Sequence, residues 1–409
     1  MSQRKVYYFD NNATTRVAPE VVEAMLPFLT EQWANPSSAY QAGHRVAKHL
    51  DAARAQVAAL LNADPREVVF TSCGTESNNS AVHSALVTSP GKRHVLTTAV
   101  EHSANIHYCE FLQKRGYEVT FLPVESDGSL DLHLLAQSIR PDTAIVSVML
   151  ANNETGVLFP LEEIAAICRS KNVLCHTDAV QTPGKLKLDV RALGVDFLSL
   201  SAHKLHAPKG IGLLYVKRRT KYQPLIIGGQ QERGRRGGTE NAPYIVGFGR
   251  AAELAMSTLE HEDTQVRALR DQLENTILRT IPKTTRNGAR EPRLPNTSNI
   301  AFEGIEAEAI LMMLDQAGIC ASSGSACTTG SLEPSHVLRA MGLGASRARG
   351  SLRFSLGIYN TQADVDYLLE QVPGIVARLR AVSPADQVHK TRRRAHAPVP
   401  ALAAEAADA

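Results

Sequence analysis

The stretch Phe197-Leu-Ser-Leu-Ser-Ala-His-Lys-Leu-His206 sets a lysine between two histidines, where a run of core-type residues gives way to the loop Ala207-Pro-Lys-Gly210. Phe197–Leu200 has the length and composition of a short strand, so Lys204 falls just past its carboxyl end. Most lysines are solvated surface groups, and whether this one differs depends on what else reaches the same place. Similar runs stand at Val68–Thr71, His94–Thr98, Glu118–Val124, Ala144–Leu150, Val173–Thr177 and Gly212–Val216, with amphipathic stretches such as Ser77–Val87 and Leu161–Ser170 between them. This alternation predicts an α/β fold with a mainly parallel central sheet flanked by helices. In such sheets ligands bind beyond the carboxyl ends of the strands.

The residues just past those ends are polar. After 68–71 comes Ser72-Cys-Gly-Thr-Glu-Ser77, a small-residue turn opening a helix. Its free N–H groups and helix dipole suit a phosphate, although Thr75 or Ser77 acting as an ordinary N-cap reads equally well. The later ends carry Glu101-His102, Asn152-Asn-Glu-Thr-Gly156 and Asp178-Ala-Val-Gln181. A desolvated lysine forms a Schiff base with an aldehyde, and pyridoxal phosphate needs such a lysine together with a carboxylate at its pyridine nitrogen. An N-cap role for Asp178 leaves Lys204 unexplained. A cofactor reading accounts for both, for Ser201 and His203 as phosphate donors beside Gly74 and Thr75, and for His102 stacked on the ring. His203 and His206 have no third ligand for a metal site, and no G-x-x-x-x-G-K-[ST] nucleotide loop occurs.

The whole chain, 409 residues with 44% hydrophobic and 21% charged residues, has a globular composition. Its net charge of +3 and two short arginine clusters, 233–236 and 392–394, argue against a nucleic-acid partner. The start lacks an apolar leader and no run approaches a membrane span, so a cytoplasmic protein is expected. The six cysteines form no Cys-x-x-Cys pair, which argues against structural zinc, and a reducing compartment argues against disulfides. Cys168 and Cys175 lie in helix and strand patterns, and these, with Cys73 and Cys320, read as structural. Cys327 differs: it sits in the polar run Ser322-Ser-Gly-Ser-Ala-Cys-Thr-Thr-Gly330, with His336, Arg339 and Arg353 following. Positive neighbours favour the thiolate, the nucleophilic form.

The Gly/Arg-rich loop 227–241 and a long helical pattern from about Pro243 to Thr280 lead into a second unit containing Asn299–Phe302, a helix at Glu306–Ala317 and the run Leu352–Leu356. The expected organisation is a large domain at 16–260 and a smaller α+β domain formed by 1–15 with 261–384. Residues 385–409, rich in Ala, Pro and charge, are expected to be a disordered tail.

Taken together, Y-F-D-N-N-A-T-T (8–15), T-S-C-G-T-E-S-N-N (71–79), A-N-N-E-T-G (151–156), H-T-D-A-V-Q (176–181), S-A-H-K-L-H-A-P-K-G (201–210), Q-E-R-G-R-R-G-G-T-E-N (231–241), S-S-G-S-A-C-T-T-G (322–330) and R-F-S-L (353–356) resemble the cysteine desulfurases. These are pyridoxal-phosphate enzymes of the class V aminotransferase group with the type I transferase fold. The Cys327 loop and its continuation 331–342 look like the nitrogen-fixation (NifS-type) branch. The resemblance implies that Lys204 carries the cofactor and Asp178 pairs with the pyridinium. Gln181 would bond the ring oxygen, and Gly74, Thr75, Ser201 and His203 would hold the phosphate, with Thr239 reaching in from a second subunit of a homodimer. Asn153 and Arg353 would hold the substrate carboxylate, and His102 would stack on the ring and relay protons. Cys327 would take sulfur from L-cysteine as a persulfide, leaving L-alanine, for an iron–sulfur scaffold or other acceptor protein. No firm metal site is implied, Cys327 being at most a transient cluster ligand through its persulfide. A selenocysteine lyase or an aminotransferase would use the same lysine and aspartate without needing Cys327.

Overall fold

The computed structural model describes residues 5–323 and 334–382; the Cys327 segment 324–333 and the expected tail 385–409 lie outside the described residues. Among the described residues there are twelve short strands: β1 (Tyr7–Tyr8), β2 (Val68–Thr71), β3 (His94–Thr98), β4 (Glu118–Leu122), β5 (Thr143–Ser147), β6 (Leu174–Asp178), β7 (Phe197–Ser201), β8 (Gly212–Val216), β9 (Thr284–Arg286), β10 (Thr297–Phe302), β11 (Ile319–Cys320) and β12 (Ser351–Ser355). Seven of them form the central sheet in the order β2-β8-β7-β6-β5-β3-β4.

Helices cover both faces of this sheet, so its strands read as continuous runs rather than alternating patterns: the inner strands β3, β5, β7 and β8 and the edge strand β2 are buried at every position. The other edge strand, β4, is exposed at Glu118, half-buried over 119–121 and buried only at Leu122. Some of the buried positions are polar. His176 bridges the hydroxyls of Ser147 at 2.8 Å and Ser199 at 2.9 Å on the two flanking strands. Burial pushes its pKa down to about 4, so the ring is a neutral cross-strand tie.

The sheet is mixed. β8 runs antiparallel to both β2 and β7, while the others are mutually parallel. Because β2 and β7 both oppose β8, the carboxyl ends of β2, β3, β5, β6 and β7 lie at one end of the sheet. That end holds every strand-end motif singled out in the sequence.

A second apolar core gathers around the antiparallel sheet β12-β10-β9 and includes Phe9, Leu273, Phe302, Phe354 and Leu368. The expected single long helix after residue 242 is interrupted: Ala242–Ser257 and Arg267–Thr280 flank a π-turn at Glu262–Val266. Val337, Leu338, Met341 and Ala348 pack with the large-sheet core although they lie far along the chain. The N-terminal strand β1 pairs with β11, and Asp10 bridges to Ser355, which carries residues 10–15 across the end of the large sheet. Among the described residues no helix is long and apolar enough to cross a membrane.

Candidate active site

A cavity of about 380 Å³ opens at the shared carboxyl end of the strands. Gly74, Thr75, His102, Asn153, Asp178, Gln181, Ser201, His203, Lys204 and Arg353 all line it. These are ten of the twelve residues expected there. Thr239 lines a different cavity with Phe70, Arg236 and Ile245, and Cys327 lies outside the described residues.

The lysine of the opening stretch is held by a segment nearly two hundred residues away. The 3₁₀ turn Ala202–Lys204 ends β7 and turns the side chain inward. Its Nζ donates to the carbonyls of Asn12 at 2.6 Å and Ala13 at 2.7 Å. The Asn12 carbonyl also accepts from Gln181 Nε2 at 3.0 Å. The Asn12 side chain donates to Asn153 O and Thr297 Oγ1 and accepts from Asn296. Residues 10–15 are therefore the site's organiser, a role sequence reasoning missed although it recorded the motif.

The helix Gly74–Thr88 begins at Cys73 with extended backbone and no side chain capping its N-terminus. Ser77, one of the two cap candidates, instead bonds Thr71 Oγ1 at 2.7 Å and the Cys73 carbonyl at 3.2 Å. First-turn N–H groups are thereby left facing the cavity, the arrangement that binds phosphate. Gly74 is required here, because a Cβ would lie 2.9 Å from Val180 Cγ2 and close the cradle. Cys73, expected to be structural, is half-buried and lines the cavity. It is brought there because Gly212 on β8 lets the Cys73 backbone approach to 2.6 Å of where a Cβ would be.

Asp178 is held by two donors, Asn78 Nδ2 at 2.7 Å and the Val180 N–H at 2.9 Å, and it closes a turn instead of capping a helix. His102 Nδ1 accepts from the Ala104 N–H at 3.1 Å, so the neutral ring carries its proton on Nε2. His203 is pushed down to about 3 by burial, with Lys204 and Lys209 adding to the effect, and is neutral at physiological pH. Behind His102, burial raises Glu101 to about 8 although it accepts from Met149 N–H, Thr98 and Asn105.

Arg353 is 1% exposed. It donates to Asp10 Oδ1 at 2.6 Å and to the Asn153 carbonyl at 3.1 Å, while its Nε is buried without a partner. Glu154, next to Asn153, is raised by burial and accepts from Ser335 Oγ at 2.6 Å.

These donors fit pyridoxal phosphate. The cradle offers uncapped helix N–H groups, Ser201 and His203 for a phosphate. Asp178 is a buried carboxylate suited to a pyridine nitrogen. Gln181 Oε1 and Asn78 Oδ1 are buried polar atoms with no protein partner. No group of three or more His, Cys, Asp or Glu side chains among the described residues is arranged to hold a metal.

The aminotransferase class-V family model matches residues 7–368. The chain is 54% identical over 379 residues to a cysteine desulfurase of Nostoc sp., covering 93% of this chain and 95% of that one. It is equally 54% identical to the cysteine desulfurase NifS of Azotobacter vinelandii, over 92% of this chain and 94% of that protein. A solved NifS-like protein superposes with a TM-score of 0.86 at 39% identity, covering 92% of this chain and all of the other. The structure of SspA in complex with cysteine superposes at 0.76 with 36% identity, covering 87% and 99% of the two chains.

Proposed function

Since the chain belongs to the aminotransferase class-V family and is a cysteine desulfurase, we propose that it performs that reaction in the strand-end cavity with pyridoxal 5'-phosphate as resident cofactor. The observation that carries this is the convergence of Lys204, Asp178 and the uncapped phosphate cradle on one cavity of about 380 Å³. L-Cysteine and the Cys327 thiol become L-alanine and a Cys327 persulfide. The substrate C–S bond breaks, an S–S bond forms, one thiol proton ends on the alanine methyl and the other on the persulfide. Carbon is reduced as the sulfur pair is oxidised, so no outside oxidant is consumed.

When bound, the cofactor supplies an electron sink that lets a proton leave the substrate Cα. Gly74, Thr75, Ser201 and His203 would hold its phosphate, Asp178 would serve its pyridine nitrogen, Gln181 its ring oxygen, and His102 its ring face. Lys204 would be its attachment point and the base that takes the substrate Cα proton. Asn153 and Arg353 fix the substrate carboxylate. Arg353→Met is expected to raise KM for L-cysteine by about 100-fold, because two charge-assisted bonds are lost; steady-state kinetics across cysteine concentrations measures it.

Thr239, outside its own chain's cavity, reaches the site of a second copy in a homodimer. Trp33 and Ile227, 76% and 80% exposed, are apolar groups that such a contact would cover. The sulfur acceptor is an iron–sulfur scaffold or other sulfur-acceptor protein, serving iron–sulfur or nitrogenase metallocluster assembly, and the setting is cytoplasmic.

The test is stoichiometry. Without added thiol, protein given L-cysteine should form one alanine per chain and one sulfane sulfur on Cys327; with thiol present, sulfide should accumulate catalytically. Alanine that appears only with a keto acid present would make it an aminotransferase. Turnover of selenocysteine alone would make it a lyase.

A further inference from the structure

Lys204 also lines a second, separate void of about 20 Å³, room for one water molecule. It is lined by Lys204, Lys185, His206, Thr15, Thr258 and Glu262 among others. Two of these are buried ionisable groups that the reaction above does not use: Lys185 and Glu262 are each 4% exposed. Lys185 Nζ donates to the carbonyl of Lys204 at 3.4 Å. Glu262 Oε2 is buried with no hydrogen-bond partner among the described residues. Both are placed by irregular backbone. Lys185 ends the turn that starts at Thr182, whose Gly184 has φ +74° and packs against Ala255. Glu262 opens the π-turn that interrupts the long helix, a distortion frequent at functional sites. A buried lysine and a buried carboxyl are costly to keep for stability alone, since apolar side chains of similar size would pack there at no electrostatic cost.

We propose that Lys185 and Glu262 form a positioning pair for the Lys204 amine, Lys185 holding the Lys204 main chain by its carbonyl while the charge shared with Glu262 across the void sets the electrostatic field behind that amine. The inference rests on Lys204 being the attachment lysine. Burial lowers the Lys185 pKa and raises that of Glu262 to about 7, each opposed by the charge of the other. The other groups facing the void or its rim do not compete in that range. His206 is pushed down to about 4 and is therefore neutral, with its Nδ1–H given to the Arg16 carbonyl. A positive charge on Lys185 disfavours a proton on the Lys204 nitrogen, so its removal must raise the pKa of that nitrogen.

The experiment uses the holoprotein. Borohydride trapping followed by mass analysis first locates the cofactor adduct in each variant, and the visible absorbance is then titrated with pH. Lys185→Met is expected to raise the pKa of the absorbance change by about 1. It should also lower kcat roughly 10-fold through misplacement of the amine, with KM within about twofold. Lys185→Arg, whose guanidinium has the void to occupy, should restore both. If Lys185→Met fails to fold, Glu262→Gln should move the absorbance pKa in the opposite direction, down, because the negative member of the pair is removed and the Lys185 charge is left uncompensated. An adduct on Lys204 with an unmoved absorbance pKa in these variants, even with a lower melting temperature, would overturn the pair alone. An adduct on another lysine in the unmodified protein would overturn the Lys204 assignment and the pair with it.

Discussion

Lys204→Ala is expected to yield a folded protein that takes up no covalent cofactor and shows no visible absorbance after incubation with pyridoxal phosphate and dialysis. The Nζ it removes is fixed by two carbonyls, Asn12 at 2.6 Å and Ala13 at 2.7 Å. In the proposed reaction the lost group is both the attachment point and the base at Cα. Loss of a general base alone costs up to about 10⁴-fold, so alanine formation from cysteine should fall at least that far. The fold should survive, since the vacated end opens on a polar cavity, and the core beneath it, Leu200, Ala202 and Leu205, is untouched. Lys204→Arg should fail equally, because a guanidinium keeps the charge but does not condense with an aldehyde. Circular dichroism separates this outcome from unfolding. A retained absorbance band with an adduct on another lysine would show that the cavity is organised around a different amine.

Strand positions were legible because the large sheet is covered on both faces, so β2, β3, β7 and β8 fall within a residue of the apolar runs that predict them. The helix Leu161–Ser170 coincides with its amphipathic stretch. Beyond those elements the sequence is silent for identifiable reasons. The reversed direction of β8 leaves no mark on its composition, since an inner strand is apolar either way. The polar members of the sheet, His94, His176 and Ser199, break the apolar pattern and are tolerated only because partners on neighbouring strands satisfy them. The role of Asn12 and Ala13 depends on main-chain carbonyls meeting a side chain 192 and 191 positions away, which no local periodicity encodes. Asp10, which neutralises part of Arg353, was hidden for the same reason. The place of Cys73 on the cavity wall left no mark in the sequence, because its neighbours there are those of a turn, while its position comes from Gly212 on another strand. The site residues themselves were legible because chemistry, unlike topology, is carried by residue type at strand ends.

Cys327→Ala is expected to separate cofactor binding from sulfur transfer: the variant should bind pyridoxal phosphate with unchanged visible absorbance and form no protein-bound sulfane sulfur. Cys327 is five residues from Ser322 and eight from Ser335, and both of these anchors are tied to the site. Ser322 exchanges main-chain bonds with Arg353, at 3.2 Å and 2.6 Å, and Ser335 donates to Glu154 at 2.6 Å. Next to Ser335, His336 Nε2 donates to the Glu101 carbonyl at 2.9 Å, beside His102. Five residues span at most ~18 Å when extended, so from the Ser322 anchor alone the thiol is within reach of a substrate held by Arg353. The other cysteines do not substitute. Cys109 and Cys175 are buried, and burial pushes the Cys109 thiol up to about 12, whereas the nucleophile must be a thiolate. Cys73 lines the cavity beside the uncapped start of the Gly74–Thr88 helix, the end proposed for the phosphate. The loss in alanine formation should therefore exceed about 10³-fold, as for removal of any covalent nucleophile with the rest of the site intact. Cys73→Ala serves as the counter-test, with sulfane sulfur expected still to be found on Cys327. Sulfur recovered on Cys73 in the Cys327 variant, with alanine formation retained, would move the nucleophile into the phosphate cradle and overturn the role given to the 324–333 segment.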